Sequence, residues 1–197
     1  MHGVAEMHHR SLTVLLLTLS VLSWGQTELI RNGGFSDSNT GWYYSAGETG
    51  SGSFSVSAGR AVLTMSKQSQ FDWEHVIGQD RIPVYRNNTY RVSLNARSEK
   101  VQRIACSFGS LRNGRPHFVY ASSWIDLDTI VRTIELFWIN SGQCAVENPD
   151  AYFALSFGRI EGLVEIDSIS IRGRPYQPSD RDDFACTDIC RRCDVST

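Results

Sequence analysis

Aromatic side chains in polar surroundings are the residues of this sequence most suited to binding chemistry. The 197 residues include five Trp, seven Tyr and nine Phe. Trp73 stands out because the segment from Gln70 to His75 around it is largely polar, whereas Trp42 and Trp138 lie in apolar runs. An exposed indole offers a flat apolar surface that can stack on the C–H face of a sugar ring. We therefore predict that Trp73 is the main ligand platform.

Other side chains could complete such a site. Tyrosines could add further platforms, and polar groups could form hydrogen bonds with sugar hydroxyls. For the polar residues, the alternative is an ordinary surface role. The tyrosine candidates are Tyr43, Tyr44 and Tyr120, and the polar candidates are Glu74, His75, Gln79 and Arg97.

The sequence contains no recognisable catalytic motif. It has no Gly-x-Ser-x-Gly, phosphate loop or His-Glu-x-x-His. Two acidic pairs could supply the two carboxyl groups of a glycosidase. Such pairs are, however, more often ordinary acidic residues in exposed loops. We therefore favour a protein that does not catalyse a reaction by itself. The residues considered were His75, His117, Asp126, Asp128, Asp182 and Asp183.

The N-terminus has the features of a targeting segment. Arg10 precedes an apolar run from Leu12 to Leu22, and the small residues Ser23 and Gly25 follow. This order is typical of a secretory signal peptide cleaved after Gly25. The apolar run is too short to span a bilayer. We therefore predict a secreted, extracellular protein.

A secretory route makes disulfides the default state of the five cysteines. Cys106 and Cys144 could pair across the folded domain, or Cys106 could be a buried free thiol. Cys186, Cys190 and Cys193 lie in a short tail and are one thiolate short of a four-cysteine zinc site. Since five is odd, at least one cysteine lacks an intramolecular partner. Disulfide exchange or a disulfide-linked dimer through the tail is therefore favoured.

Charge and composition exclude some partners. The chain has 19 basic and 21 acidic residues, with a net charge of −2. Nothing in this balance indicates a nucleic acid or an anionic membrane as partner. A sequon at Asn87-Asn88-Thr89 precedes a predicted strand, so we expect glycosylation of Asn87 in a eukaryotic host.

From residue 29 to residue 172 the pattern predicts strand after strand. Tyr90 to Ala96 alternates apolar and polar residues, and no segment shows a helical period. Roughly ten strands joined by Gly, Asn and Asp turns indicate an all-β, antiparallel sandwich of jelly-roll type. In the last strand, Val164 and Ile166 are out of phase with Ile169 and Ile171. A bulge near Asp167-Ser168 would turn all four side chains to the core.

Three motifs give the sequence a resemblance to a known family. They are the Asn-Gly-Gly-Phe turn and Gly-Trp within residues 29–42, the Asn-Thr-Tyr-Arg-Val-Ser-Leu strand from residue 88, and the terminal Val-Glu-Ile-Asp-Ser-Ile-Ser-Ile. In this order they resemble the family 4/9 carbohydrate-binding modules, the CenC-like group. The resemblance covers residues 28–172 and implies a galactose-binding-like sandwich that binds a polysaccharide. It also places Trp73 where such modules carry a cleft tryptophan.

The resemblance further implies a structural calcium ion. Family members hold it with an acid after the Gly-Gly-Phe turn and a late-strand Asp. Here Ser36 replaces that acid, Asp37 is one position further on, and Asp167 is in place. Calcium takes six to eight oxygen ligands, so backbone carbonyls would have to complete the set.

The sequence thus predicts a signal peptide at 1–25, a carbohydrate-binding β-sandwich at 26–172 and a linker with a cysteine tail at 173–197. The expected function is non-catalytic binding of a β-glucan or xylan, ancillary to glycoside hydrolysis. Two alternatives stay open. One is a fragment or divergent member of a glycoside hydrolase, and the other is a matrix or adhesion protein crosslinked through its cysteine tail.

Overall fold

The computed structural model describes residues 26–112, 115–141 and 145–178, and for residues 111, 112 and 115–117 it describes the backbone alone. The predicted signal peptide, Cys144 and the three tail cysteines lie outside the described residues. No helix in the described ranges is long and apolar enough to cross a membrane. The elements are β1 (Thr27–Glu28), β2 (Tyr43–Ala46), β3 (Ser51–Ser57), β4 (Arg60–Lys67), a 3-10 turn (Asp72–Glu74), β5 (His75–Val84), β6 (Asn88–Ser98), β7 (Gln102–Arg112), β8 (Arg115–Leu127), β9 (Arg132–Asn140), β10 (Asn148–Ser156) and β11 (Gly162–Pro175).

The strands form two antiparallel sheets. Sheet A has the order β3-β4-β11-β6-β9, with β1 paired to β11, and sheet B has the order β2-β5-β10-β7-β8. Apart from the consecutive pairs β3–β4 and β7–β8, neighbours in each sheet come from distant parts of the sequence, as in a sandwich of jelly-roll type. The predicted all-β antiparallel sandwich is confirmed.

The core lies between the two sheets. Phe35, in the turn after β1, is buried against Trp42 with ring centroids 5.3 Å apart. Trp42 also meets Phe153 of β10 edge-on, with centroids 6.5 Å apart. The turn and its Gly-Trp end therefore contribute to the core, as expected for large apolar side chains in such a setting.

The loop between β1 and β2 is held by the side chain of Asn32. Its Nδ2 donates to the carbonyl oxygens of Asp37, Ser38 and Thr40 at 3.2, 2.9 and 3.2 Å, and its Oδ1 accepts from the Asp37 N–H. The Trp42 indole N–H donates to the Asn32 carbonyl. Asn32 has φ of 50°, a conformation that Asn tolerates better than most residues.

Two strand predictions meet different outcomes. The bulge in β11 is confirmed, because the register against β6 shifts between Ile166 and Ser168 and both apolar pairs face the core. In the sequence, the apolar stretch from Glu74 to Gly78 is short and predicts a short strand, but the strand continues to Val84. Arg81 has φ of 59°, and the register with β10 shifts beside it. That irregularity breaks the alternation from which the length of a strand is read.

The outer face of sheet A is closed by cross-strand polar pairs. Arg97 pairs with Glu165, and Arg91 pairs with Glu135. Between these pairs, the Thr133 hydroxyl donates to Asn95 Oδ1 at 2.6 Å. These side chains engage one another along the sheet.

Candidate functional site

The outer face of sheet B is defined by the alternation of side chains along its strands. On β10, Phe153 and Leu155 belong to the core. Their neighbours Tyr152 and Ala154 therefore point to the opposite face. The same period on β7 turns Ala105, Ser107 and Gly109 outward, and on β5 it turns Val76 and Gly78 outward.

Small residues form the floor of this face, and tyrosine rings lie across it. A Cβ atom on Gly78 would lie 2.6 Å from the Tyr43 hydroxyl oxygen. A Cβ atom on Gly109 would lie 2.6 Å from Cε1 of Tyr152. The two glycines therefore let the Tyr43 and Tyr152 rings lie close to the sheet, because any side chain at these positions would displace them.

The tyrosines also share an electrostatic environment. Burial raises the pKa of Tyr43 to about 12, and Tyr152 and Asp80 act in the same direction. Burial likewise raises the pKa of Tyr152, against an opposing hydrogen bond with Ser107. Both phenols are therefore neutral at physiological pH and can donate as well as accept hydrogen bonds. Tyr152 is 3% exposed, so it forms part of the floor rather than a platform.

An exposed tryptophan stands at the β8 edge of the same face. Trp124 is 52% exposed and pairs across the strands with the small Ala105. Next to it, the Arg103 guanidinium donates two hydrogen bonds to the Asp126 carboxylate, at 2.6 and 3.2 Å. This pairing holds the pKa of Asp126 below its ordinary value. An open indole beside a fixed polar pair can stack on a sugar ring and orient its hydroxyls.

The 3-10 turn carries a second exposed aromatic group. Trp73 is 66% exposed and stacks on Phe71, with ring centroids 4.6 Å apart and planes 12° apart. The turn lies where β5 begins and β10 ends, because the Gly158 N–H bonds the Asp72 carbonyl oxygen. Trp73 thus stands at one end of sheet B, outside the core.

Several predicted polar ligands are engaged within the protein. Glu74 accepts from the Thr49 hydroxyl at 2.5 Å. His75 is 1% exposed and bonds the Tyr44 hydroxyl through Nδ1 at 2.7 Å. Gln79 is also buried, and its amide bonds the backbone of the loop after β1.

Two further predicted ligands, Arg97 and Tyr120, lie away from Trp73. Arg97 lies on the outer face of sheet A, on the opposite side of the sandwich from Tyr43 and Trp124. Tyr120 packs beside the small cluster that contains Tyr90 and accepts a hydrogen bond from Asn148 Nδ2 at 2.9 Å. Of the predicted set, the structure therefore brings Tyr43 onto the outer face of sheet B and Trp73 to the end of that sheet, and it separates Arg97 from both.

Sequence reasoning missed Trp124 and Tyr152. A signal for Trp124 was present, because Ser122, Trp124 and Asp126 alternate with the buried Ile125 and Leu127. A tryptophan on the polar side of such a strand is an exposed tryptophan. Tyr152 gave no such signal, since both faces of β10 are buried in this region.

Asp167, one of the two side chains implied as calcium ligands, is engaged by another residue of the protein. Asp167 Oδ1 lies 2.7 Å from the Arg60 Nε, so a guanidinium already holds this carboxylate. Within the described ranges, no three His, Cys, Asp or Glu side chains come together to hold a metal ion. The side chain of Asn32 takes up the carbonyls of Asp37 and Ser38. The Asp167 carboxylate and the carbonyls of Asp37 and Ser38 therefore already accept from protein donors.

Two other predicted positions have defined environments. Cys106 is a buried free thiol in the core, and burial raises its pKa to about 12. Of the two alternatives, a disulfide or a buried free thiol, the structure thus shows Cys106 as the free thiol. Asn87 is exposed in the turn between β5 and β6, where its carbonyl accepts from the Tyr176 N–H. Its side chain is accessible for the predicted glycosylation.

Solved structures with a similar fold include both binding domains and an enzyme. A structure described as "CBM4 structure and function" has a TM-score of 0.63 and 18% identity, covering 74% of this chain and 99% of that one. The second N-terminal cellulose-binding domain of β-1,4-glucanase C from Cellulomonas fimi has a TM-score of 0.57 and 16% identity, with 78% and 97% covered. A Stig cyclase, Fisc, from Fischerella sp. TAU has a TM-score of 0.55 and 10% identity, with 78% and 100% covered. At these identities the likeness shows a common fold.

Sequence comparison identifies the family. Comparison with curated proteins gives no significant match. A family model for a carbohydrate binding domain, CBM_4_9, matches residues 27–141, more than half of the chain. The protein therefore belongs to the CBM_4_9 family of carbohydrate-binding domains.

Proposed function

We propose that this protein binds a neutral β-glucan or xylan chain on the outer face of sheet B and at Trp73, without cleaving it. One observation carries the proposal. A floor of small side chains lies between the ring of Tyr43 and the exposed indole of Trp124, and Trp73 stands at the end of the same sheet. Flat aromatic surfaces beside polar groups suit the apolar faces and hydroxyls of a sugar chain.

The dimensions of the face favour a chain over a single sugar. Tyr43 on β2 and Trp124 on β8 belong to the two edge strands of sheet B. Four strand spacings separate them, or about 19 Å at about 4.8 Å per spacing. A monosaccharide would contact one aromatic side chain, whereas an extended chain could contact both.

The charges on the face favour a neutral ligand. Arg103 is paired with Asp126, so neither charge is left uncompensated beside Trp124. A polyanionic glycan would need unpaired basic groups to bind its charges. The similar structures include a domain named as cellulose-binding, which supports a glucan among the neutral candidates.

The two acids closest to Trp124 in the sequence are poorly suited to glycosidase chemistry. A general acid must keep its proton near neutral pH, which requires a raised pKa. The pKa of Asp126 is instead lowered by Arg103, and Asp128 pairs with Arg132 at 2.7 Å. Both acids are held as ion pairs, which supports binding without cleavage.

A glycan array probed with the purified protein tests the proposed function. We expect signals on β-linked glucans or xylans and none on sulfated or uronate-rich glycans. Binding to charged glycans alone, or no binding to any glycan on the array, would contradict the proposal. Incubation with the bound polysaccharide should release no new reducing ends, and their steady appearance would favour the hydrolase alternative.

We also propose secretion, cleavage after Gly25 and glycosylation of Asn87, as the sequence indicates. Intact-mass measurement of protein collected from the medium of a eukaryotic host should show loss of residues 1–25 and a glycan that disappears in Asn87→Gln. A disulfide-linked dimer through the tail would halve in mass on reduction. If the secreted protein retained the apolar run from residue 12, the prediction of a cleaved signal peptide would be wrong. If its mass did not change on reduction, the prediction of a disulfide-linked dimer would be wrong.

A further inference from the structure

The 3-10 turn that carries Trp73 has little packing of its own. It is three residues long, none of them is buried, and its one aromatic side chain, Trp73, is 66% exposed. A single 3-10 turn is not stable in isolation, because its few hydrogen bonds do not offset the entropy of ordering it. Contacts with other parts of the chain must therefore fix the position of the indole.

The carboxylate of Glu74 supplies the largest group of such contacts. Its Oε2 accepts from the Thr49 hydroxyl at 2.5 Å and from the Phe71 N–H at 3.0 Å, and its Oε1 accepts from the Thr49 N–H at 3.2 Å. The Thr49 hydroxyl oxygen in turn accepts from the Gln70 N–H at 2.7 Å. One threonine hydroxyl thus links the segment before Trp73 to the carboxylate after it.

The loop between β2 and β3 lies directly on this network. A Cβ atom on Gly47 would lie 2.2 Å from Cβ and 2.6 Å from Cγ of Glu74. Such closeness is available only to a residue without a side chain. On the other side of the turn, the Gly158 N–H bonds the Asp72 carbonyl, and Arg159 pairs with Asp72 at 3.3 Å. The turn is held between two loops.

We propose that Thr49 and Glu74 are positioning residues for the Trp73 platform, and that Glu74 is not a sugar ligand. Both oxygens of the Glu74 carboxylate accept hydrogen bonds from the protein, so the carboxylate acts on the turn. Thr49 fixes that carboxylate and the Gln70 backbone together. The inference rests on the proposed function in one respect only, namely that Trp73 contacts the glycan.

Substitutions at Thr49 test the proposal, because valine keeps the shape of threonine and removes the hydroxyl, whereas serine keeps the hydroxyl. The matched control is Thr133→Val, which removes an exposed hydroxyl bond to Asn95 on sheet A. The first readout is the ¹H–¹⁵N indole signal of Trp73 in the free protein, assigned with Trp73→Phe. The second is the dissociation constant for soluble xylan and for hydroxyethyl cellulose.

Thr49→Val should shift or broaden the Trp73 indole signal. It should also raise the dissociation constant about five- to tenfold, which corresponds to the free energy of about one hydrogen bond that holds the turn. Thr49→Ser should restore both values, and Thr133→Val should change neither. The melting temperature of Thr49→Val should stay within about 4 °C of the parent, because the bonds lie on an exposed turn.

An unchanged Trp73 signal in Thr49→Val would overturn the positioning role, as would a Thr49→Ser variant that behaves like Thr49→Val. A parent protein that binds neither polysaccharide would count against the proposed function instead. The indole signal would still decide the role of Thr49, because that readout requires no ligand.

Discussion

The indole of Trp73 lies parallel to the ring of Phe71, with centroids 4.6 Å apart, and yet 66% of Trp73 is exposed. Because this tryptophan stays exposed, the fold lacks the hydrophobic stabilisation that burying its side chain would give. The arrangement has the geometry of a binding platform, since the face of the indole not covered by Phe71 is available to a ligand.

Trp73→Ala should therefore weaken binding strongly and leave the fold intact. The loss of one stacked sugar should lower affinity about ten- to a hundredfold, equivalent to about 1–3 kcal/mol for the burial of a large side chain. Calorimetric titration with the polysaccharide selected on the array measures this loss, and a thermal scan should show a melting temperature near that of the parent. An unaltered affinity in a folded variant would remove Trp73 from the site.

Trp42→Ala is the matched control and should show the opposite behaviour. Trp42 is buried against Phe35 and Phe153, so its truncation leaves a cavity in the core. Such a change costs about 3–5 kcal/mol of unfolding free energy. Denaturant unfolding measures it, and a loss below about 1 kcal/mol would mean that Trp42 does not have the core role assigned to it.

Trp124→Ala tests whether the ligand reaches the β8 edge of sheet B. Trp124 is half exposed and contributes little to the core, so the variant should fold like the parent. We expect about a tenfold loss of affinity for a long polysaccharide and a smaller loss for a disaccharide, because only a long chain spans from Tyr43 to Trp124. Phe137→Ala, an exposed aromatic on sheet A, should leave both affinities as they are. Equal losses for the long and short ligands would contradict the proposed span.

The fold could be predicted from the sequence because its pattern is local. The alternation along β6 and the phase change in β11 each follow from side chains that must reach one core. Even the bulge near Asp167 was predictable, since only an extra residue turns both Val164 and Ile169 inward. The full length of β5 was not, because the irregularity at Arg81 hides its continuation.

The site was predicted less completely, because it depends on which strands become neighbours. The exposure of Trp73 could be predicted from its polar flanks. His75 and Glu74 have the same flanks, and yet the first is buried against Tyr44 and the second is bound to Thr49. The floor of the outer face of sheet B requires Gly78 of β5 and Gly109 of β7 to lie on either side of β10, a relation that no local pattern contains.

Acid should destabilise the protein through His75. Burial lowers the pKa of His75, so in the window between the folded and unfolded pKa values the unfolded chain binds more protons than the folded one. Stability should therefore be highest above the unfolded value of about 6.5 and should decrease as the pH falls below it. Hydrogen bonding to Thr49 lowers the pKa of Glu74, which adds a second loss below the ordinary range of a carboxyl.

Melting temperatures measured from about pH 8 to about pH 4, values that bracket the ordinary pKa of histidine, test this dependence. His75→Gln should be less stable at neutral pH but should have a flatter profile between about pH 7 and pH 5. A parent protein whose melting temperature is constant across that interval would show that His75 does not titrate differently in the folded state.

Arg60 and Asp167 give a last prediction, which concerns calcium. The Arg60 guanidinium lies on the Asp167 carboxylate at 2.7 Å, where the family resemblance would place a cation ligand. Since the protein supplies a positive charge there itself, we expect the same melting temperature in calcium and in chelator.

Arg60→Ala should lower the melting temperature by about 1–4 °C, the effect of an ion pair near the surface in a domain of this size, and Arg60→Lys should recover part of the loss. Arg172→Ala, which removes another exposed ion pair of the same sheet, serves as the control for a general effect of charge. A parent protein that melts several degrees higher in calcium, with metal found by elemental analysis, would show that the ion binds despite Arg60.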